Sequence, residues 1–395
     1  MSEKNRIEVI QAVLARKLAV GEAARILKRS ARTIWRMQHR LQTQGLGGLV
    51  HGNKGRPSPR KTSEQTVRQV LGLTRDKYPK VNDTHLMELL AKHEKIKLGR
   101  ETLRSLLRAA GLAPKRTRRR PKYRQRRERK EAMGMMLQVD ASPHDWLEGR
   151  GPRLTLLGAK DDATGHVWAR FAEAETTWAY LDLMQDVFLS FGLPLSLYSD
   201  RHSIFHTLRE PTIVEQLRGV QPLTQFGRAM NELGISIIKA WSPQAKGRIE
   251  RLWGVLQDRL VVELRLAGAR TLEEANALLR RFLLEYNQRF TVPARRSTPV
   301  FRAAPSSDRL RTILCLKDTR VVANDHTVSV DGLILQIPPA RWFHSLAKKR
   351  VDILQLRDGT IEVRYEGHLA ASFSSQAVRR LLKRASNLRT DIKAA

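Results

Sequence analysis

The chain has 395 residues, of which 41% are hydrophobic, enough for buried cores in about two to four domains. Lys and Arg number 72 against 39 Asp and Glu, and the net charge of +33 indicates a polyanionic partner. Nucleic acid is the first candidate and an anionic membrane surface the alternative. A single cysteine excludes a disulfide framework and a Cys-rich zinc site. The sequence lacks a long apolar run and a signal-peptide core, so we expect a soluble intracellular protein.

Residues 1–45 predict a helix-turn-helix domain. Apolar residues recur at helical spacing over 6–16, a short helix follows over 20–27, and a basic helix spans 31–43. Ser30 is the predicted N-cap of the third helix. We expect that helix to enter the DNA major groove through Arg32, Arg36 and Arg40. The alternative is a plain three-helix bundle with a solvated basic face.

The next segments extend the basic front of the chain. Residues 45–61 read as a linker in which Arg56 either enters a minor groove or is solvated. Helices predicted at 64–77, 83–94 and 100–110 suggest a second helix-turn-helix or winged-helix domain over 62–112, with Arg104 facing DNA.

Residues 113–131 form a basic linker. The stretch 114–130 contains 11 Lys and Arg, too many charges for a core, so we expect an arm that follows phosphates. Its expected DNA contacts are Arg118, Arg119, Arg120, Arg126 and Arg127. Residues 1–130 together hold 35 Lys and Arg against 10 Asp and Glu, a net charge of +25, so most of the charge lies in front.

Residues 132–300 predict an α/β catalytic core. Three strands forming an antiparallel meander are followed by a helix, a fourth strand, a helix, a fifth strand and a long helix. These elements are expected at 135–140, 153–160, 166–172, 176–191, 194–199, 226–233, 234–238 and 244–266. The order β-β-β-α-β-α-β-α is that of the RNase H-like fold.

Three carboxylates occupy particular places in that order. Asp140 lies on the first strand, Asp200 ends the fourth, and Glu250 lies about two turns into the last helix. The first and fourth strands are neighbours in such a sheet, so we expect the three groups to converge. Converging carboxylates need a countercharge, which two Mg²⁺ or Mn²⁺ ions would supply while assisting in-line displacement at phosphorus.

The motifs around these residues resemble the DDE family of retroviral-type integrases and insertion-sequence transposases, and more specifically bacterial ISNCY-type transposases. They are GLVHG and GRPS in the front, DASPHDWLEGRG (140–151), DDATG (161–165), ETTW (175–178), YSD (198–200), SPQAKGRIER (242–251) and QDRLV (257–261). The resemblance implies Asp140, Asp200 and Glu250 as catalytic metal ligands, and Lys246 or Arg248 beside DNA phosphate. It also implies a homo-oligomer, a dimer or larger, acting in the bacterial cytoplasm at the nucleoid.

The sequence departs from retroviral integrases in two respects. Asp200 and Glu250 are separated by 49 residues, a longer interval, and we interpret 203–225 as an inserted loop near the active site. The His/Cys zinc module of those integrases is impossible with one cysteine.

Other polar residues have simpler interpretations. Asp161 and Asp162 fit a hairpin turn better than a metal site, and Asp145 lies beyond the strand end. His202 and His206 have a spacing that suits a metal, but they fall in the predicted loop without a matching acid.

The C-terminal part predicts a different module. A helix over 271–290 is followed by short alternating strands, which suggest a small SH3-like β-barrel over 310–370. In integrase-like proteins such a barrel binds DNA or a partner subunit, and a structural cap is the alternative. Residues 371–395 are expected to form a basic helix or tail.

The expected function is that of a DDE transposase, a polynucleotidyl transferase without ATP or a covalent protein intermediate. It would bind the terminal inverted repeats of its element, cleave the DNA ends and join the 3′-hydroxyl to target DNA. Its partners would then be double-stranded DNA and further copies of itself, with no membrane. The rivals are a DNA-binding regulator of transcription or transposition with an inactive core, and an RNase H-like nuclease acting on RNA–DNA hybrids.

Overall fold

A computed structural model describes residues 3–50, 53, 61–115, 127–207, 209–217, 219, 221–240 and 247–380. The chain divides into two compact units, Met1–Lys77 and Tyr78–Ala395.

The first unit contains the helix-turn-helix predicted from the sequence. Its helices are α1 (Glu3–Leu14), α2 (Val20–Leu27), α3 (Ala31–Gln44), a 3₁₀ turn (Gly45–Leu49) and α4 (Glu64–Asp76). Ile10, Ala23 and Ile34 form a fully buried core between the first three helices. The predicted N-cap is confirmed, because Ser30 Oγ accepts a hydrogen bond from the Thr33 amide at 3.3 Å.

A five-stranded mixed sheet forms the centre of the second unit. Its strands are β1 (Leu137–His144), β2 (Leu154–Asp161), β3 (Val167–Ala172), β4 (Ser196–Ser199) and β5 (Ser236–Lys239). They lie in the order β3-β2-β1-β4-β5, with β1, β2 and β3 antiparallel and β4 and β5 parallel to β1. The predicted succession of the five strands along the chain and the predicted neighbourhood of the first and fourth strands are confirmed.

Helices α7 (Thr177–Phe191) and α9 (Gln225–Glu232) cover one face of the sheet, and α10 (Gly247–Leu266) and α11 (Leu272–Phe290) cover the other. The unit also contains α5 (Asp83–His93), α6 (Arg100–Ala109) and α8 (Ile213–Leu217). Leu157 and Ala159 face the core under α7 and α9, whereas the alternate residues Leu154 and Leu156 face α10 and α11. The segment predicted as an inserted loop, 203–225, contains the short helix α8 and so is not wholly a loop.

The helix α5 is docked on α10 and α11 by charged groups. Glu88 accepts from Arg259 Nη1 at 2.6 Å and from Arg289 Nη2 at 2.7 Å. Burial would raise the pKa of Glu88, but the two guanidinium groups lower it to about 2. The nearly fully buried His85 places Nε2 3.2 Å from Glu263 Oε1. The sequence predicted α4, α5 and α6 as one helical domain over 62–112. In the structure α4 belongs to the first unit, and α5 and α6 belong to the second.

The C-terminal strands form two open sheets that share one apolar core. After α12 (Ser307–Ile313) the strands are β6 (Leu316–Val321), β7 (Thr327–Val330), β8 (Leu333–Gln336), β9 (Arg350–Gln355), β10 (Ile361–Tyr365) and β11 (His368–Phe373). The order β11-β10-β9-β6 makes one sheet and β7-β8 the other, so the predicted closed β-barrel is not confirmed. Pro338 and Pro339 follow β8 and lack the amide hydrogens needed to continue a ladder.

The sequence also predicted a basic tail over 371–395 and no membrane-spanning helix. The predicted tail overlaps β11, and residues 381–395 lie outside the described residues. Within the described part of the chain, each helix is too short or too polar to cross a bilayer.

We predict an acid-dependent loss of stability from His166. Burial lowers the pKa of His166 to about 4 from 6.5. Its Nε2 lies 3.3 Å from Asn287 Nδ2, and Asn287 Nδ2 also donates to the Val167 carbonyl at 2.8 Å, which ties α11 to β3. The unfolded chain binds a proton that the folded chain does not over this range, so the free energy of unfolding should fall as pH drops from about 6.5 to about 4. Denaturant unfolding of His166→Gln should show a smaller fall than the parent; equal pH slopes would contradict the assignment.

Candidate functional site

The pairing of β1 with β4 brings Asp140 and Asp200 toward the same end of two neighbouring strands. The two strands run parallel with Leu137 opposite Leu197 and Gln138 opposite Tyr198. Continuing this register brings Asp140 opposite Asp200, just after β4 ends. The pKa of Tyr180 is raised by burial first, then by Glu175, and also by the charges of both aspartates.

Asp140 is also held from the other side by α10. The indole Nε1 of Trp253 donates to Asp140 Oδ2 at 2.8 Å. Gly158 faces Asp140 across β1 and β2, and a Cβ at Gly158 would lie 2.6 Å from the Trp253 ring. One turn later, Gln257 Nε2 donates to Ser142 Oγ at 3.0 Å. Two consecutive turns of α10 are therefore attached to alternate residues of β1.

Glu250 lies one turn before Trp253 on the same side of α10, because residues three apart share a helix face. Its side chain is exposed. The described residues contain no group of three His, Cys, Asp or Glu side chains close enough to hold a metal ion. The convergence of Asp140, Asp200 and Glu250 into one metal site thus stays a prediction.

The two consecutive aspartates at the end of β2 have different roles. Asp161 makes the predicted turn, with its Oδ1 accepting from the Thr164 amide at 2.7 Å and from Thr164 Oγ1 at 2.8 Å. Burial raises the pKa of Asp161 in spite of these bonds. Asp162, by contrast, is a buried ionic centre that turn geometry alone did not predict.

Asp162 collects donors from distant segments. Its Oδ1 accepts from Arg127, Arg248 and Gln138, the last at 2.8 Å, and its Oδ2 accepts from the Lys130 amide at 2.9 Å. Burial would raise the pKa of Asp162, but the bonds from Arg127, Lys130 and Arg248 hold it below its ordinary value. The partners are remote along the chain, so local sequence gave no signal for this centre.

Lys160 extends this cluster. Its Nζ donates to the Arg248 carbonyl at 3.2 Å. Burial, together with the charges of Arg129, Arg251 and Arg248, lowers the pKa of Lys160 to about 8.

The remaining polar candidates make local contacts. His206 Nε2 lies 3.2 Å from Ser199 Oγ, and His202 Nδ1 accepts from the Ile204 amide at 3.3 Å. Asp145 is exposed, and its Oδ1 accepts from the Gly149 amide at 3.1 Å. These contacts agree with the non-metal interpretation of all three side chains.

The predicted DNA contacts fall into three groups. Arg32, Arg36 and Arg40 are exposed on α3, opposite the buried Ile34. Arg104 is exposed on α6 and lies 3.4 Å from Glu101, while Arg127 and Arg248 are bound to Asp162. The remaining predicted contacts lie outside the described residues: Arg56, Arg118, Arg119, Arg120, Arg126 and Lys246.

Comparison with known proteins places the chain in a family. A helix-turn-helix domain family matches residues 5–58. Transposase y4bF of Sinorhizobium fredii (strain NBRC 101917 / NGR234) is 35% identical over 372 residues, covering 93% of this chain and 80% of that protein. The transposase for insertion sequence IS1202 of Streptococcus pneumoniae is 30% identical over 399 residues, covering 91% of this chain and 84% of the relative. The chain belongs to the insertion-sequence transposases. The resemblance predicted from the motifs and the DNA-binding character of the transposase are confirmed at this level.

Solved integrase structures overlap the transposase only weakly. The catalytic core of BIV integrase gives a TM-score of 0.28 at 21% identity, covering 39% of this chain and 84% of that one. The HTLV-2 integrase catalytic core domain in complex with magnesium gives 0.30 at 17% identity, covering 40% and 88%. The simian T-cell lymphotropic virus intasome in complex with PP2A regulatory subunit B56 gamma gives 0.35 at 14%, covering 77% and 98%. Likeness of this degree supports no statement about function.

We predict that Gly158 and Trp253 are energetically coupled. An alanine Cβ at position 158 would lie 2.6 Å from the Trp253 ring, so Gly158→Ala should lower the free energy of unfolding by about 1–3 kcal/mol. The smaller ring of Trp253→Phe should relieve this clash, so the loss from Gly158→Ala should shrink in that background. Denaturant unfolding of the two single variants and the double variant measures the coupling, and additive effects would refute it.

Proposed function

We propose that the transposase is a DDE-type polynucleotidyl transferase whose catalytic residues are Asp140, Asp200 and Glu250. The observation that carries the proposal is the docking of α10 on β1 through the Trp253–Asp140 hydrogen bond. This hydrogen bond holds Asp140 beside the helix that bears Glu250. The pairing of β1 with β4 would bring Asp200 near Asp140.

The three residues would hold Mg²⁺ or Mn²⁺, and we propose two ions. All three donors are carboxylates, which suit hard divalent cations; Asp140 stands on β1, and Asp200 directly follows the neighbouring strand β4. When bound, the metal supplies charge stabilisation for in-line displacement at phosphorus. The protein's own part is to keep Asp140 oriented through Trp253 and to present Asp200 beside it.

The proposed substrates are the terminal inverted repeats of the element and a target DNA. The exposed arginines of α3 would read the repeats, and the basic linker would follow phosphates. The reaction would cleave the DNA ends and transfer the 3′-hydroxyl to the target by transesterification. Two DNA ends must be held together, so we propose a homo-oligomer that works at the bacterial nucleoid in the cytoplasm.

The second candidate is a DNA-binding regulator with an inactive core, because the helix-turn-helix match over residues 5–58 and the exposed arginines of α3 would serve it equally well. Cleavage assays separate the two functions directly.

For the enzyme, we predict that Asp140→Asn, Asp200→Asn and Glu250→Gln each reduce cleavage by at least about 10³-fold while DNA affinity is kept, because each loses an anionic ligand. Single-turnover cleavage of a labelled duplex carrying the inverted repeats that flank the gene, with Mg²⁺ or Mn²⁺, measures the effect. Asp145→Asn is the matched control and should cleave normally, because this exposed carboxylate makes only a local turn. If the parent binds the duplex but leaves it uncut with either metal, the regulator is the better assignment.

For DNA reading, we predict that Arg36→Ala weakens binding to the repeat duplex by about 1–3 kcal/mol and reduces discrimination against a scrambled duplex. Fluorescence anisotropy at fixed salt measures both affinities. The exposed Arg281 on α11 is the control, since Arg281→Ala removes the same charge far along the sequence from α3. Equal losses in the two variants would contradict major-groove reading by α3.

A further inference from the structure

The ionic centre at Asp162 joins three parts of the second unit. Its side chain has no exposed surface, and its donors come from the end of the basic linker, from β1 and from the first turn of α10. A buried carboxylate is stable only when its charge is compensated, and here Arg127 and Arg248 share one oxygen. Removing this carboxylate would leave the two guanidinium groups facing each other.

Both the side chain and the backbone of Arg248 are bound at the end of β2, by Asp162 and Lys160 respectively. Its Nη1 binds Asp162 and its Nη2 donates to the Arg127 carbonyl at 2.6 Å, while its own carbonyl accepts from Lys160. Only 20% of its side chain is exposed, compared with 40% for Arg127. The start of α10 is thereby held to the sheet by the polar contacts of Arg248, beside the apolar packing of the neighbouring Ile249.

Glu250 follows Arg248 by two residues, within the same turn of α10. Trp253, in the following turn, is bound to Asp140. The two attachments bracket Glu250, so the Arg248 contacts set how far this carboxylate stands from the aspartates. A first turn released from Lys160 and Asp162 would fray and move Glu250 while leaving Trp253 in place.

We propose that Asp162 and Lys160 are positioning residues that act through Arg248 to place Glu250 for metal binding. This inference rests on the proposed function, because it takes Glu250 as a metal ligand. It also gives Arg248 a role other than the phosphate contact expected from the sequence. A phosphate contact would affect DNA affinity, whereas a positioning residue would affect the metal requirement and the rate.

The test compares Arg248→Gln with Arg127→Gln, which remove the two guanidinium groups that bind the same carboxylate oxygen. At saturating repeat duplex, Arg248→Gln should lower the single-turnover cleavage rate about 10- to 100-fold and raise the Mg²⁺ concentration for half-maximal rate. Its DNA dissociation constant, measured by anisotropy with Ca²⁺ in place of Mg²⁺, should stay within about twofold. Arg127→Gln should instead weaken DNA binding and lower the rate less. Arg170→Gln, which removes a half-buried arginine paired with Asp186 at 3.0 Å, should change neither quantity.

Three further variants make the test independent of folding defects. Asp162→Asn should raise the Mg²⁺ concentration for half-maximal rate as Arg248→Gln does. If thermal denaturation shows that Asp162→Asn is unfolded, the comparison of Arg248→Gln with Arg127→Gln still decides the question. Lys160→Met should also raise the Mg²⁺ requirement. Lys160→Arg should keep it close to that of the parent, because a donor to the Arg248 carbonyl is retained.

The outcomes separate this inference from the proposed function. Loss of DNA affinity in Arg248→Gln with an unchanged rate and Mg²⁺ requirement would overturn the inference and support a phosphate contact. Cleavage that survives Glu250→Gln would overturn the proposed function itself. A dead Glu250→Gln beside a normal Arg248→Gln would overturn the positioning role alone.

Discussion

The attachment of α10 to β1 through Trp253 and Asp140 is the interaction on which the candidate site depends. A tryptophan can lie across the sheet there because the facing position in β2 is Gly158, which has no side chain to block the ring. The same helix buries Ile249, Leu252 and Leu256 in the core on that face of the sheet. Apolar packing thus fixes the helix on the sheet, and one polar contact fixes its register with respect to Asp140.

The distribution of charge follows a division of tasks along the chain. Residues 1–130 carry most of the excess positive charge, yet several arginines of the second unit are paired with carboxylates of that same unit. Glu88 and Asp162 each bind two guanidinium groups, one centre docking α5 on the core and the other fixing the start of α10. An arginine of this protein can therefore serve an internal ion pair and need not contact DNA.

Much of the fold could be predicted from the sequence because its signals are local. The helical period and the Ser30 cap predicted the front helices, and the strand and helix order predicted that β1 and β4 are neighbours. The closed barrel was not confirmed, since strand closure depends on pairing between distant segments and on backbone donors that Pro338 and Pro339 lack. The Asp162 centre escaped prediction for a related reason: its arginines lie 35 and 86 residues away, and only the folded sheet brings them together.

The proposed site is tested most directly by locating Mn²⁺ with anomalous diffraction from crystals of the full chain bound to its repeat duplex. We expect anomalous peaks bound by the carboxylates of Asp140 and Asp200, with Glu250 within coordinating distance and the indole of Trp253 still bonded to Asp140. Mn²⁺ bound elsewhere would contradict this site. So would a complex that cleaves DNA in the crystal although Trp253 no longer contacts Asp140.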